Sequence, residues 1–429
     1  LAASVTTLNR RSALMKAGLM PLLLEQLKRR DSRAVFLSAL SVCSRMCDRS
    51  NGSEVNPHQK EIAASGVLPL VAAAFDGPPD ADIQGAASQV LWYLTRSAED
   101  ELVAAGIPAL KHKLLQQSSD INVLKNVLSC IHNYLNQNKA HADVFLKLGT
   151  LPVIVALLAH ESPDIQEKAS AAITPFTGVS DAVHHALCDA GAVGALAGVV
   201  SKGSGEARKQ ACGALWGLVL GGGGGQGGVD AVEGLLGGDA EEGVKAGLEG
   251  LSAGVSGSEG KQRAYVERFG VGRVVGLLGH GSAGVQAKAC DTIRALTCNC
   301  ALNRVAFREG GVVSRLVGLL GSGDADVQKE ALRAVWMTAF SNSENKDAFC
   351  SAGAAAAICK LLQSPVAVVQ EKAAVAVWSL CISHAKNQDA FRDAGCVPLL
   401  VGLLSSSSAD VQNWSSQAML KLSEGHSVN

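Results

Sequence analysis

The chain alternates between apolar residues at helical spacing and short breaks that contain glycine, proline or polar residues. The clearest copy of this pattern lies within 342–383, where the spacing predicts a short helix over 345–353, a second over 354–363 and a third over 366–382. The apolar stripe of the third helix consists of Val369, Ala373, Val377 and Leu380. This stretch therefore predicts a unit of three helices.

Glutamines mark the start of the third helix at a constant interval. Gln286, Gln328, Gln370 and Gln412 are each 42 residues apart, and each follows a valine. A fixed period of about 40 residues is typical of a helical solenoid, in which each repeat buries its apolar face only against its neighbours. The sequence therefore predicts an all-α solenoid.

Other markers recur with the same period. A glycine suited to a left-handed helix end follows the first helix of most units. These glycines are Gly18, Gly66, Gly106, Gly149, Gly191, Gly270, Gly311, Gly353 and Gly395. The third helices are predicted to begin near Asp31, Asp80, Ser119, Pro163, Gly205, Asp239, Ser282, Asp324, Pro365 and Ala409. The markers indicate about ten units.

The unit resembles the armadillo repeat. The segment 396–404 (CVPLLVGLL) is close to the family's second helix, and the pattern Val-Gln-x-x-Ala that opens three of the third helices is similar to its third. The resemblance covers nearly the whole chain. It implies one domain over 1–429, a right-handed α-solenoid superhelix of about ten three-helix repeats, whose third helices line a concave groove for a protein partner.

Two segments depart from the repeat. Residues 48–57 are polar and rich in turn formers, which predicts an inserted loop. Residues 221–260 are rich in glycine, and the first helix of the sixth repeat is predicted to be missing there. A phosphate-binding loop is excluded for the glycine run, because no Gly-Lys-Ser or Gly-Lys-Thr follows it. We interpret 221–260 as a degenerate repeat.

This sequence lacks the groove pattern of the armadillo family that resembles the nuclear-import adaptor. In that pattern, Trp lies five residues after the signature Gln and Asn lies nine residues after it. Here Gln328 is followed at these distances by Arg333 and Met337, and Gln370 by Val375 and Ser379. We therefore expect that the chain does not bind basic import peptides.

A different series of tryptophans lies eight residues after the signature position. Trp92, Trp336 and Trp378 follow a Gln at this distance, and Trp216 follows Arg208. These rings either pack between adjacent third helices or line the edge of the groove, and the sequence leaves both interpretations open. The candidate groove residues are Gln89, Trp92, Tyr93, Trp216, Asp291, Arg333, Trp336, Trp378, Gln417 and Lys421.

Composition narrows the possible functions. The formal net charge is −1, which argues against a general binder of nucleic acid or anionic membranes. The 12 cysteines form no CxxC pair, which is typical of small buried thiols in a reducing compartment. No catalytic or metal-binding motif and no apolar run of about 18 residues occurs. We expect no enzyme activity, no cofactor, no metal and no membrane span.

Several functions agree with this pattern. We expect a cytoplasmic, non-enzymatic scaffold for protein–protein interactions, whose partner is unknown. The alternative is a structural component of a ciliary, axonemal or other microtubule-associated assembly, which would give a cytoskeletal or ciliary location. A nuclear transport adaptor and a membrane-tethered adaptor are weaker alternatives. Because the chain begins at Leu1 and not at Met, we expect that it was trimmed.

Overall fold

The computed structural model describes residues 8–48, 56–76, 80–95, 98–222, 225–238 and 240–424. The chain is 81 % helical, and no strand occurs within these ranges. The prediction of an all-α fold is therefore confirmed. The chain forms two compact units, Leu1–Gly228 and Val229–Asn429, which we call the N-terminal and the C-terminal unit. The predicted single domain over 1–429 stays a prediction.

The N-terminal unit contains five sets of three helices. Its first helices are Leu8–Lys16, His58–Ile62, Glu99–Ala104, Ala142–Lys147 and Asp181–Asp189. Its second helices are Leu19–Lys28, Leu68–Ala72, Ile107–Gln117, Thr150–Leu157 and Ala192–Lys202. Its third helices are Arg33–Cys47, Ala81–Leu94, Ile121–Gln137, Pro163–Ile173 and Gly205–Leu220. One π-helical turn, Ala63–Val67, and three short 3₁₀ segments complete it: Ala73–Phe75, Lys139–His141 and Thr174–Gly178.

The remaining helices continue the same order. Helix Gly225–Gly237 overlaps the boundary between the units and is followed by the third helix Glu241–Val255. The first helices are then Glu259–Phe269, Ala301–Glu309, Ser343–Ser351 and Ala385–Asp393. The second helices are Gly272–Leu277, Val312–Leu319, Ala354–Leu361 and Cys396–Leu403. The third helices are Ala283–Thr297, Ala325–Ala339, Ala367–Cys381 and Ala409–Ser423.

The core follows the predicted apolar stripes. The valines before the four signature glutamines are fully buried, and so are the predicted stripe residues of helix Ala367–Cys381. The valines are Val285, Val327, Val369 and Val411. Within each unit, consecutive third helices pack extensively on one another. Each of these helices therefore buries one side against its neighbours, as the period predicted.

Eight of the nine predicted glycines adopt the left-handed helical conformation. All nine have φ between 68° and 90°, a region that L-residues with a side chain rarely adopt. Most of them connect the first helix of a repeat to its second helix. The left-handed helix end inferred from sequence is therefore confirmed at eight positions, whereas Gly270 ends its helix with ψ at −174°, outside the left-handed helical region.

The four glutamines that recur every 42 residues, which we call the signature glutamines, stabilise the turn before their third helices by a side-chain hydrogen bond. The side-chain Nε2 of Gln328 donates to the carbonyl oxygen of Ser322 at 2.6 Å. Gln286, Gln370 and Gln412 donate in the same way to a carbonyl six residues earlier, at 2.7–2.8 Å. The most regular feature of the sequence is thus a structural hydrogen bond.

A second series of side-chain amides connects consecutive repeats. Asn345 Nδ2 donates to the carbonyl of Arg304, in the first helix of the preceding repeat, at 2.9 Å, and to that of Thr338 at 2.7 Å. Asn303 and Asn387 make the equivalent two bonds. All three asparagines are at most 1 % exposed. We call Asn303, Asn345 and Asn387 the asparagine ladder.

The glycine-rich segment has lost one helix. Between Leu220 and Glu241 the described residues contain one helix, Gly225–Gly237, which agrees with the predicted loss of a first helix. Gly223, Gly224 and Asp239 lie outside the described residues. The predicted inserted loop at 48–57 lies largely outside them as well, because 49–55 are not described.

Glycines in and near this segment differ in what surrounds them. A Cβ on Gly217 would lie 2.2 Å from the Oγ1 atom of Thr177, and one on Gly247 would lie 3.1 Å from Leu236. A Cβ on Gly243 would meet nothing closer than 3.9 Å. Some of these glycines therefore allow close helix packing, whereas others only lower helix propensity.

We predict opposite effects for two glycine-to-alanine substitutions. Gly243→Ala should raise the free energy of unfolding by about 0.5–1 kcal/mol, because alanine favours the helix. Gly217→Ala should lower it by about 1–3 kcal/mol, because the added methyl group overlaps Thr177. Urea denaturation measures both. Stabilisation by both substitutions would contradict the packing role of Gly217.

One lysine lies in the core of the N-terminal unit. Lys111 is 1 % exposed, and its Nζ atom has no hydrogen-bond partner among the described residues. The Nζ atom lies 5.0 Å from the centre of the Tyr134 ring. Ile154 and Leu196 hold the same position after the capping glycine in the next two repeats. Burial lowers the pKa of Lys111, because the charged amine is poorly solvated there.

We predict that Lys111→Met stabilises the protein by about 2 kcal/mol at pH 7. The pKa of Lys111 is lower in the folded than in the unfolded state. The free energy of unfolding of the wild type therefore rises as pH increases from the pKa of Lys111 in the folded state towards about 10.4, the pKa of lysine in the unfolded chain. The advantage of Lys111→Met should therefore shrink between pH 7 and pH 10. Lys113→Met, at an exposed position of the same helix, is the control. Denaturation midpoints at both pH values measure the effect, and a constant advantage would contradict it.

Candidate functional site

The third helices of the C-terminal unit expose equivalent positions. On Ala283–Thr297, Ala325–Ala339, Ala367–Cys381 and Ala409–Ser423, the positions two, five and eight residues after the signature Gln lie on one side of the helix. Two residues after Gln are Lys288, Glu330, Lys372 and Trp414; five after are Asp291, Arg333, Val375 and Gln417; eight after are Arg294, Trp336, Trp378 and Leu420. Except for Val375, all are partly or fully exposed. We call these twelve residues the exposed face.

Helix caps and buried valines fix the orientation of this face. The side chains of Ser282, Asp324 and Ser408 accept hydrogen bonds from the backbone N–H three residues later, at the start of three of the helices. Those N–H groups belong to the buried valines that precede the signature Gln. Because the side of each helix that carries this valine is buried in the core, the positions two, five and eight residues after the signature Gln lie on the side that faces solvent.

One half of the exposed face is charged. Arg333 Nη1 lies 2.8 Å from Glu330 Oε2 and 3.9 Å from Asp291 Oδ1, so it joins two adjacent third helices. Asp291 Oδ1 also lies 2.7 Å from Arg294 Nη2. A depression of about 500 Å³ is lined in part by Asp291, Glu330 and Arg333. In this half, acids and bases already neutralise one another.

Ion pairing at the edge of the charged half shifts two pKa values. Lys329 Nζ lies 2.6 Å from Asp326 Oδ1. The hydrogen bond from Lys329 lowers the pKa of Asp326, and the same bond raises the pKa of Lys329 against the effect of partial burial. Both groups therefore remain charged around neutral pH.

The other half of the exposed face is apolar. The Trp378 and Trp414 rings form an edge-to-face pair with centres 5.5 Å apart. Leu420 is 53 % exposed, and Val375 is 2 % exposed. Trp336 is partly exposed, yet its Nε1 atom is buried without a hydrogen-bond partner among the described residues. The exposed part of that ring is therefore carbon surface.

The four tryptophans predicted from the series differ in exposure. Trp216 is fully buried within helix Gly205–Leu220, so its assignment to the groove is wrong and packing is its role. Trp92, Trp336 and Trp378 are partly exposed. Trp216 differs in exposure from the other three tryptophans because the second part of its helix is buried on all sides: every residue from Ala211 to Leu220 is buried.

The candidates of the N-terminal unit lie together on helix Ala81–Leu94. Gln89 is exposed, and the rings of Trp92 and Tyr93 are 4.9 Å apart. Burial raises the pKa of Tyr93 to about 12, with a further contribution from the carboxylate of Asp48. These three residues belong to a different compact unit from the exposed face.

The last third helix holds one residue that the sequence did not single out. Gln417 is exposed, as expected, whereas Lys421 Nζ is paired with Glu424 at 2.5 Å. Trp414 was not among the candidates, although it contacts Trp378. Its signal in the sequence is its place two residues after Gln412, where the preceding repeats carry the charged Lys288, Glu330 and Lys372.

Among the described residues, no three or more His, Cys, Asp or Glu side chains are placed to hold a metal ion. No single described helix is long and apolar enough to cross a membrane. Two bent pairs, Lys139–Lys147 with Thr150–Leu157 and Asp181–Asp189 with Ala192–Lys202, meet the length and composition of a span.

Comparison with known proteins identifies the repeat. The model of the armadillo/beta-catenin-like repeat matches residues 302–336 and 342–382, which contain two of the third helices of the exposed face in whole or in large part. No curated protein matches the chain significantly.

Several solved structures that resemble this chain are engineered proteins. A crystal structure of an engineered protein is 25 % identical, covers 95 % of this chain and 99 % of its own, and has a TM-score of 0.51. Two designed armadillo repeat proteins each cover 63 % of this chain and 99 % of their own, with a TM-score of 0.44. They are 21 % and 20 % identical, and the second was solved with the peptide (KR)4. The first of these proteins, over nearly its whole length, shares its fold with this chain.

Proposed function

We propose that this chain, an armadillo repeat protein, is a non-enzymatic scaffold that binds an extended segment of a partner protein on the exposed face. The exposed face carries the proposal, because four consecutive helices present side chains at the same three positions. Armadillo repeats are known as protein-binding scaffolds, and such a face offers one row of contacts per repeat.

The residues proposed to contact the partner come from the described face. They are Asp291, Arg333, Trp336, Trp378, Trp414, Gln417 and Leu420. Tryptophan and arginine are the residue types that most often anchor protein interfaces. Lys421 stays a candidate at the edge, next to Leu420. Gln89, Trp92 and Tyr93 remain candidates for a separate contact on the N-terminal unit.

The cytoplasm is the location we propose. All 12 cysteines are free, and nine of them are buried, which suits a reducing compartment. A ciliary or microtubule-associated role remains an alternative that no described feature favours. The same holds for an adaptor in nuclear transport or at a membrane.

We predict that peptides selected from a random library bind the exposed face. In fluorescence anisotropy, Leu420→Ala should weaken their binding about 5- to 10-fold, because Leu420 offers a large apolar side chain at little cost in stability. Leu302→Ala is the matched control, since Leu302 is 63 % exposed on a first helix of the same unit.

Two results would contradict the proposed function. One is that the library yields no peptide that binds. The other is that Leu302→Ala weakens binding as much as Leu420→Ala does. Denaturation of both variants checks that they fold as the wild type does.

A further inference from the structure

The four helices that carry the exposed face have no net charge, although the twelve residues of the face itself comprise four basic and two acidic side chains. Together with the residues that cap their starts, these helices contain equal numbers of basic and acidic residues. The basic residues are Lys288, Arg294, Lys329, Arg333, Lys372 and Lys421; the acidic residues are Asp291, Asp324, Asp326, Glu330, Glu371 and Asp410. A peptide of either charge therefore meets no field that would attract it over a distance.

The basic groups of the face are also paired within the molecule. Arg294, Lys329 and Arg333 have the acidic partners given above, at 2.6–2.8 Å. Lys372 Nζ lies 2.5 Å from Glu371 Oε1, and Lys288 pairs with Glu249 of the preceding third helix. A charged peptide would have to displace a pair in order to form one, so the net gain in free energy is small.

Apart from the exposed amide of Gln417, the surface of the face outside the ion pairs is carbon. Trp378 and Trp414 form one partly exposed aromatic pair, and Leu420 lies eight residues after its signature Gln, as Trp378 does. Trp336 adds the carbon side of its ring, because its N–H is directed into the protein. The burial of such side chains by a partner gains about 25 cal/mol for each Å² of apolar surface.

We propose that the partner segment is an uncharged, extended peptide that places bulky apolar side chains against Trp336, Trp378, Trp414 and Leu420. This inference rests on the proposed function and specifies the chemistry of its partner. The paired charged residues at the other end of the face keep that end hydrated. Because they are already paired, they disfavour the binding of basic and acidic peptides. Binding is then insensitive to salt.

The test uses the full chain and a random peptide library displayed on phage, selected at 0.05–0.5 M NaCl, a range of about tenfold in ionic strength. Individual peptides are then synthesised with a fluorescent label. Alternating Lys-Arg and alternating Asp-Glu octapeptides serve as charged probes. Leu420→Ala and Trp378→Ala are compared with Leu302→Ala, and Leu420→Ala keeps the test valid if Trp378→Ala unfolds.

We expect enriched peptides with near-zero net charge and two or more Leu, Ile, Phe or Trp residues. Their Kd should change less than about twofold over the salt range, and both charged probes should bind at least about tenfold more weakly. Enrichment of basic or acidic peptides, or a loss of tenfold or more in affinity with salt, would overturn the inference while the proposed function stands. If no peptide binds, the proposed function fails and the inference fails with it.

Discussion

Burial between neighbouring repeats is the constraint on which this structure depends. A single three-helix unit cannot cover its own apolar stripe, so within each compact unit a third helix packs on the next one along the chain. In the C-terminal unit the asparagine ladder fixes the distance and register of neighbouring repeats, because each buried amide donates to one carbonyl in the first helix and one in the third helix of the preceding repeat. With the interior used in this way, one side of the last four third helices of the C-terminal unit remains for a partner.

The fold could be predicted from the sequence where one residue type serves one local need. The nine capping glycines could be recognised because a positive φ is strongly unfavourable for other residues. Val285, Val327, Val369 and Val411 could be placed in the core because apolar spacing reports burial directly. The position of the missing helix followed from the glycine run, since glycine weakens helices.

The site was less predictable because exposure depends on neighbouring helices. Trp216 and Trp378 hold the same position after the signature residue, yet only Trp216 is fully buried. The roles of Asn345 and Gln328 also depend on which carbonyls the fold brings near them, although both recur at 42 residues. A fixed period shows that a residue recurs at the equivalent position of each repeat. It does not show whether that residue stabilises a turn by a hydrogen bond or contacts a partner.

The residues that stabilise the repeats are different from those that we propose to contact the partner. The glutamines and asparagines that recur most regularly donate to backbone carbonyls, whereas the exposed face, apart from the repeated Trp336 and Trp378, changes from one repeat to the next. A solenoid tolerates such variation because the face contributes little to the contacts between repeats. Specificity can thus change along the face while the fold stays the same.

Native-state hydrogen exchange of Asn345→Ala tests the dependence on neighbour contacts most directly. The substitution leaves two buried carbonyls without their donor, which costs about 2–4 kcal/mol. Amides of Ala301–Glu309 and Ser343–Ser351 should exchange roughly 30-fold faster or more, while those of Glu241–Val255, in the same unit but not adjacent, should be unchanged. Equal acceleration in all three helices, or none in any, would contradict the account.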